Sequence, residues 1–267
     1  MSPILTGLGR ALANYLSQPN PRFHPITTVA PEALAAAIRP GDVLLVEGDT
    51  RISSAIKYLT QSTWSHSAFY VGDCVGTGAS GEPLTLIEAD IREGVRAIPL
   101  SRYLNYHTRI CRAVGLTPED LQSVIDYVVS RIGQQYDLRN VLDLARYLIS
   151  TPPVPMRWRR RMLALGSGEP TRAICSTLIA QAFQSVRYPI LPTIQRQPSD
   201  DSDCNNCYDE ILHIHHHSLF APRDFDISPY FAVIKPALSN KFDYRSLRWA
   251  DNEEFPADAS GQGDDPR

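Results

Sequence analysis

Between residues 41 and 115 the chain runs through short apolar segments separated by turn signals, and this spacing constrains the fold more than any other feature. The segments lie at 41–48, 63–72, 84–90, 94–99 and 107–115, and a further one follows at 230–236. Their apolar, aromatic and β-branched residues between Gly, Pro and Asp are typical of strands. The sequence therefore predicts a small, largely antiparallel sheet or a partial barrel.

Helical segments flank these strands. They are predicted at 31–40, 50–61, 117–133, 138–150 and 175–186, the third of them capped by Thr117. The last carries apolar residues at 178, 179, 182, 183 and 186, which is the spacing of one buried helix face. Strands with helices beside them predict the α+β class, a sheet with a helical layer.

Composition excludes several function classes. With 267 residues, 43% of them hydrophobic and 21% charged, the chain resembles an ordinary globular protein. Its net charge of −3 argues against nucleic-acid binding through bulk charge. No apolar run reaches the roughly 18 residues of a membrane span, and the N-terminus lacks the basic start of a signal peptide. Five cysteines cannot all pair. Because the sequence shows no export signal, we expect reduced thiols and a cytoplasmic protein, although export by another route stays open.

His66 opens the segment at 63–72 and has a candidate partner in Glu88. If the segments around the Gly-rich loop 72–83 form a simple hairpin, Glu88 lies opposite His66 or one residue off. A carboxylate there would fix the imidazole tautomer and leave the other ring nitrogen free as a base. The alternative is an ordinary polar pair in the sheet.

Cys175 is the candidate nucleophile. It lies in the first turn of the helix predicted at 175–186, where free backbone N–H groups and the helix dipole favour a thiolate. Alternatively, the thiol simply extends the buried face of that helix.

Four blocks of the chain resemble a known family. GDVLLVEGDTRISSAIKYLTQSTWSHSAFYVGD, LIEAD, QQYDLRN and ICSTLIAQAF are similar to the permuted NlpC/P60-like, papain-like thiol hydrolases of the YiiX/YaeF type. The resemblance implies a circularly permuted papain-like fold in which histidine precedes its polar partner and cysteine comes last, the order of His66, Glu88 and Cys175. The chain departs from the family at Thr177, where members commonly have an acidic residue.

The resemblance divides the chain into three parts. Residues 1–39 are expected to be a helical extension with a Pro-rich linker, 40–236 the catalytic domain with a long polar insertion near 187–228, and 237–267 an acidic, disordered tail. Tyr136 and Asp137 lie in the block QQYDLRN, so the resemblance implies that they bind substrate, although a tyrosine at a helix end is commonly a packing residue. We also predict that Trp64 binds substrate.

The predicted function is that of a cysteine hydrolase with a Cys-His-Glu triad. It acts on an amide bond of peptide or peptidoglycan type, and it needs no metal or other cofactor. The alternatives are a lipid-directed thiol acyl hydrolase or acyltransferase, and a non-catalytic metal- or membrane-binding protein on the same scaffold.

Two further clusters have competing interpretations. Cys204, Cys207, His213 and His215 have suitable side chains for zinc, but a polar surface loop is favoured. The basic cluster Arg157, Arg159, Arg160 and Arg161 is predicted either to contact an anionic membrane or to form a solvated face.

Overall fold

A computed structural model of the protein describes residues 14–21, 23, 27, 29–135, 174–198 and 208–236. The described helices are α1 (Pro31–Ala37), α2 (Arg51–Thr60), α3 (Pro118–Val129), α4 (Ile174–Ser185) and α5 (Pro222–Ile227). The strands are β1 (Val43–Val46), β2 (His66–Tyr70), β3 (Leu86–Asp90), β4 (Gly94–Ile98), β5 (Thr108–Ala113), β6 (Thr193–Pro198), β7 (Tyr208–His213) and β8 (Phe231–Ile234). Short 3-10 helices lie at Gly72–Val75, Leu100–Tyr103 and His217–Leu219. The helix predicted at 138–150 is outside the described residues.

The main sheet has six strands in the order β4-β3-β2-β1-β5-β8. Every neighbouring pair in it is antiparallel. Each of the six strands falls inside a segment that the sequence predicts. The antiparallel sheet and the α+β class are therefore confirmed.

Both faces of this sheet are covered, and β1 explains why. All four of its residues, Val43–Val46, are buried. Val43 and Leu45 belong to one core with α3 and α4, whereas Leu44 and Val46 belong to a second core with Leu34 of α1. A strand buried on both faces is continuously apolar instead of alternating.

Threonine side chains start two of the helices, as predicted for Thr117. The Thr50 hydroxyl accepts a hydrogen bond from the Ser53 backbone N–H at 3.2 Å, and Thr117 accepts from the Asp120 N–H at 3.1 Å. Each side chain satisfies a backbone donor that the first helical turn would otherwise leave unpaired.

The segment at 187–228 contains structure that the sequence interpretation missed. β6 and β7 pair in an antiparallel two-stranded sheet, and α5 follows. β7 overlaps the stretch interpreted as a polar surface loop. The sequence pattern of this hairpin is weak because the hairpin is exposed. Ile194 and Leu212 face each other, and 48% and 40% of their surfaces are accessible. The three-part division of the chain stays a prediction.

Candidate active site

His66 and Glu88 meet at one end of the main sheet. The His66 Nε2 atom lies 2.7 Å from Glu88 Oε2. The His66 side chain keeps 22% of its surface accessible, whereas Glu88 is 2% exposed. The second imidazole nitrogen, Nδ1, is thereby left available for another partner.

The predicted register of this pair is wrong by two residues. Phe69 faces Ile87 and Tyr70 faces Leu86, so the same register places Glu88 across from Ala68 and not from His66. The reason is an asymmetric connection, because the 3-10 helix Gly72–Val75 takes up residues on the β2 side. A shift of two keeps both side chains on one face, and diagonal neighbours are within reach of long side chains.

Glu88 has further partners on both carboxylate oxygens. Arg96 donates to Oε1 from Nε at 2.9 Å and from Nη2 at 2.7 Å, and the Tyr103 hydroxyl donates to Oε2. Burial alone would raise the pKa of this carboxyl group. His66, Tyr103 and Arg96 outweigh that penalty and hold the pKa of Glu88 well below its usual range. Glu88 is therefore an ionised carboxylate with a fixed orientation.

Arg96 and Tyr103 were not singled out in the sequence. Arg96 could have been found, because Glu88 and Arg96 are cross-strand partners in the β3–β4 hairpin, whose tight turn sets the register. Tyr103 ends the 3-10 helix Leu100–Tyr103 and reaches Glu88 through tertiary packing alone, so no local pattern marks it.

Cys175 lies in the first turn of α4 and is 4% exposed. α4 packs against β2 and β3, which brings the thiol to His66. Burial alone would raise the pKa of the thiol. The charge of His66 and hydrogen bonds from His66 and Ser67 lower the pKa of Cys175 below its ordinary value.

The effect on His66 is reciprocal. Burial disfavours the imidazolium, but the Cys175 thiolate and the Glu88 carboxylate outweigh it and raise the pKa of His66 to about 10. The arrangement therefore favours a thiolate beside an imidazolium at neutral pH. Such a pair supplies a nucleophile and a proton donor in one place.

Trp64 is enclosed by protein groups. It is 2% exposed, its indole N–H donates to Asp226 Oδ2 at 3.0 Å, and its ring stacks on His107 with a centroid distance of 5.0 Å. Arg109 Nη1 pairs with the same carboxylate at 2.6 Å. These contacts are typical of a packing residue. Substrate binding by Trp64 stays a prediction.

Several predicted residues cannot be placed. Tyr136, Asp137, Cys204, Cys207 and the basic cluster at 157–161 lie outside the described residues.

Of the proposed zinc ligands, the structure describes the two histidines. His213 Nε2 is 2.9 Å from Gln195 Oε1, and His215 Nε2 is 3.0 Å from Thr193 Oγ1. Within the described ranges, no group of three or more His, Cys, Asp or Glu side chains is arranged to hold a metal ion. In the same ranges, no helix combines the length and the apolar content needed to cross a bilayer.

The chain is similar to known proteins in sequence and in structure. Residues 37–147 match the model of the family described as permuted papain-like amidase enzyme, YaeF/YiiX, C92 family. This stretch contains His66 and Glu88 and ends before Cys175.

A curated relative, the Holliday junction branch migration complex subunit RuvB of Staphylococcus saprophyticus, is 26% identical over 137 residues, or 49% of this chain. The chain spans 40% of that relative's length. The crystal structure of the metalloprotein yiiX from Escherichia coli O157:H7 aligns with 74% of this chain and 96% of its own, at 15% identity and a TM-score of 0.42. Over residues 37–147, the resemblance predicted from the sequence is confirmed, and the chain is similar to the permuted papain-like amidases of the YaeF/YiiX type.

Proposed function

We propose that the protein is a thiol hydrolase that cleaves an amide bond in a peptide or peptidoglycan-type substrate. Cys175 is the nucleophile, His66 is the general base and acid, and Glu88 orients His66. One observation carries this proposal: a buried cysteine and a carboxylate-bound histidine lie side by side, and each shifts the pKa of the other toward the ion pair. The match to an amidase family supports the reaction class.

The proposed reaction has two halves. The Cys175 thiolate attacks the amide carbonyl carbon, and the tetrahedral intermediate collapses as the leaving amine takes a proton from His66. A thioester to Cys175 remains. His66, now neutral, removes a proton from water, whose oxygen attacks the thioester and releases the carboxylic acid. The proton taken from water leaves His66 as the imidazolium, and cleavage of the thioester C–S bond restores the Cys175 thiolate beside it.

Glu88 keeps His66 in one orientation during both halves. Its Oε2 accepts from His66 Nε2, so Nδ1 is the nitrogen that exchanges the proton. His66, Tyr103 and Arg96 together keep the carboxylate ionised. The carboxylate charge stabilises the imidazolium without itself taking the proton. The backbone N–H of Cys175 is the proposed donor to the oxyanion.

Alkylation of the three described cysteines tests the nucleophile without a known substrate. Cys74 is exposed, and Cys111 is buried with a pKa raised chiefly by burial. Because the pKa of Cys175 is lowered, we expect iodoacetamide to modify Cys175 fastest of these three at about pH 6, as measured by peptide mapping. Cys74 controls for access and Cys111 for burial. Equal labelling of Cys175 and Cys74 would remove the nucleophile from the proposal.

A substrate panel tests the reaction class. Peptide amides, muropeptides and phospholipids are incubated with the protein, and an acyl-enzyme on Cys175 is sought by mass spectrometry. Amide cleavage that disappears in both Cys175→Ala and His66→Ala supports the proposal, with the double variant no worse than either single one. Acylation by phospholipids alone would favour the lipid-directed alternative.

A further inference from the structure

The pairing between β2 and β3 stops short of the end at which the active site lies. The Tyr70 N–H donates to the Asp42 carbonyl on the β1 side of β2, whereas the Val71 N–H donates to the Thr85 carbonyl on the β3 side. Alternation along an antiparallel strand then directs the Phe69 and Ser67 N–H groups toward β3. The paired residues end at Phe69 and Ile87, so the Ser67 N–H points into a gap between the two strands.

The side chain of Ser67 also lacks a hydrogen-bond partner within the described ranges. Ser67 is fully buried on β2, and its hydroxyl has no hydrogen-bond partner among the described residues. A buried hydroxyl without an acceptor is costly. Ser67 is paired with Leu45 of β1, and Leu45 shares one core with Leu178 of α4, so the Ser67 side chain lies on the sheet face that α4 covers. Ser67 also contributes to lowering the pKa of Cys175, the thiol in the first turn of that helix.

We propose that Ser67 is a further catalytic residue, whose hydroxyl and backbone N–H donate to the Cys175 sulfur and hold it as a thiolate in the gap between β2 and β3. The inference rests on the proposed function, since it assigns a role around the same nucleophile. The adjacent residues His66 and Ser67 then act on the sulfur together: His66 exchanges the proton, and Ser67 stabilises the charge left on sulfur. Hydrogen bonds to a charged acceptor are the strong kind.

The test measures the alkylation rate of Cys175 against pH in Ser67→Ala. Removing the hydroxyl takes one donor from the thiolate, so we expect Cys175 to react about tenfold more slowly with iodoacetamide at about pH 6, with little difference where wild-type and variant thiols are both ionised. Ser67→Thr retains the hydroxyl and should retain fast alkylation. Thermal melting establishes that each variant is folded.

Thr85→Val is the matched control. Thr85 is also a buried residue of this sheet region whose hydroxyl has no partner among the described residues, and it is absent from the groups that act on Cys175. Its replacement should leave alkylation unchanged. Wild-type rates in Ser67→Ala, or an equal slowing in Thr85→Val, would overturn the role of Ser67 while leaving the proposed function standing. Slow alkylation of Cys175 in the wild-type protein would instead count against the proposed function.

Discussion

At the scale of single residues, Glu88 connects the site to the sheet by dividing its two oxygens. Oε2 receives His66 and Tyr103, and Oε1 receives both donors from Arg96. The oxygen that accepts from the imidazole is thus different from the oxygen that accepts from the guanidinium. Glu88 can therefore remain charged while buried, because each lone-pair direction has a donor.

This arrangement predicts the pH dependence of Glu88→Gln. The carboxylate charge helps to raise the pKa of His66 to about 10, so removing it should lower the pKa at which the imidazolium is lost. The rate of Cys175 alkylation, followed from about pH 5 to 11, should show its upper inflection at lower pH in the variant.

Glu93→Gln is the control for that change. Glu93 also pairs with Arg96, at 2.6 Å, but it is 60% exposed and does not act on His66. Its removal should leave the upper inflection in place. An unmoved inflection in Glu88→Gln would show that Glu88 is a structural residue.

The sequence marked only part of this site. His66 and Cys175 stood out because each is unusual where it lies, one opening a strand and the other in the first turn of a helix. Ser67 was not singled out, because a serine in a strand is common. Its proposed role is suggested by the missing strand partner, which the sequence does not show. Tyr103 reaches Glu88 from the 3-10 helix Leu100–Tyr103 through the tertiary fold, which local patterns do not encode.

At the scale of elements, the β3–β4 hairpin that carries Glu88 and Arg96 is tied to the chain after α3. The Val95 N–H donates to the Gln134 carbonyl at 2.9 Å, and the Gly133 N–H donates to the Val95 carbonyl at 2.8 Å. Gly94 makes this approach feasible: its φ is +77°, and a Cβ there would lie inside contact distance of the Gln134 carbonyl oxygen.

Gly94→Ala should therefore destabilise the protein more than Gly81→Ala. Both glycines have positive φ values, +77° and +79°, but a Cβ on Gly81 would meet nothing within 4 Å. Each change incurs the left-handed penalty of about 1–2 kcal/mol, and Gly94→Ala should add about 1–3 kcal/mol from crowding. Urea denaturation measures both free energies of unfolding. Equal losses would mean that the contact with Gln134 is easily relieved.

The elements differ in how far the sequence revealed them. The strands of the main sheet were predicted because buried apolar runs between turn residues leave a strong signal. β6 and β7 were not, because their exposed pairing leaves a mixed polar pattern. The predicted β2–β3 register was wrong because the connection contains a 3-10 helix, whose backbone geometry depends on Gly72 and Gly76. This helix shifts the pairing without changing the apolar pattern of the strands.

At the scale of the whole molecule, distant parts of the chain converge around Trp64. Asp226 of α5 accepts from the indole N–H and pairs with Arg109 of β5. These contacts fasten α5 to the sheet beside the start of β2. They give Trp64 enough partners to explain its burial without a substrate.

Trp64→Phe distinguishes packing from substrate binding. The change removes the N–H that Asp226 receives and part of the buried ring, so the free energy of unfolding should fall by about 1–3 kcal/mol. If Trp64 only packs, KM for a substrate from the panel should stay unchanged while the melting temperature falls. A raised KM with an unchanged melting temperature would support the prediction that Trp64 binds substrate.

The order of the site residues along the chain has a consequence for timing during synthesis. His66 and Glu88 lie on neighbouring strands joined by residues 71–85, whereas α4, which carries Cys175, begins only at Ile174. Local pairings close with a smaller entropy loss than distant ones. In the proposed mechanism, a nascent chain that has just formed this hairpin holds the base and its carboxylate but no nucleophile. The proposed thiolate then forms only after α4 docks on the sheet, so we expect an incomplete chain to be inactive.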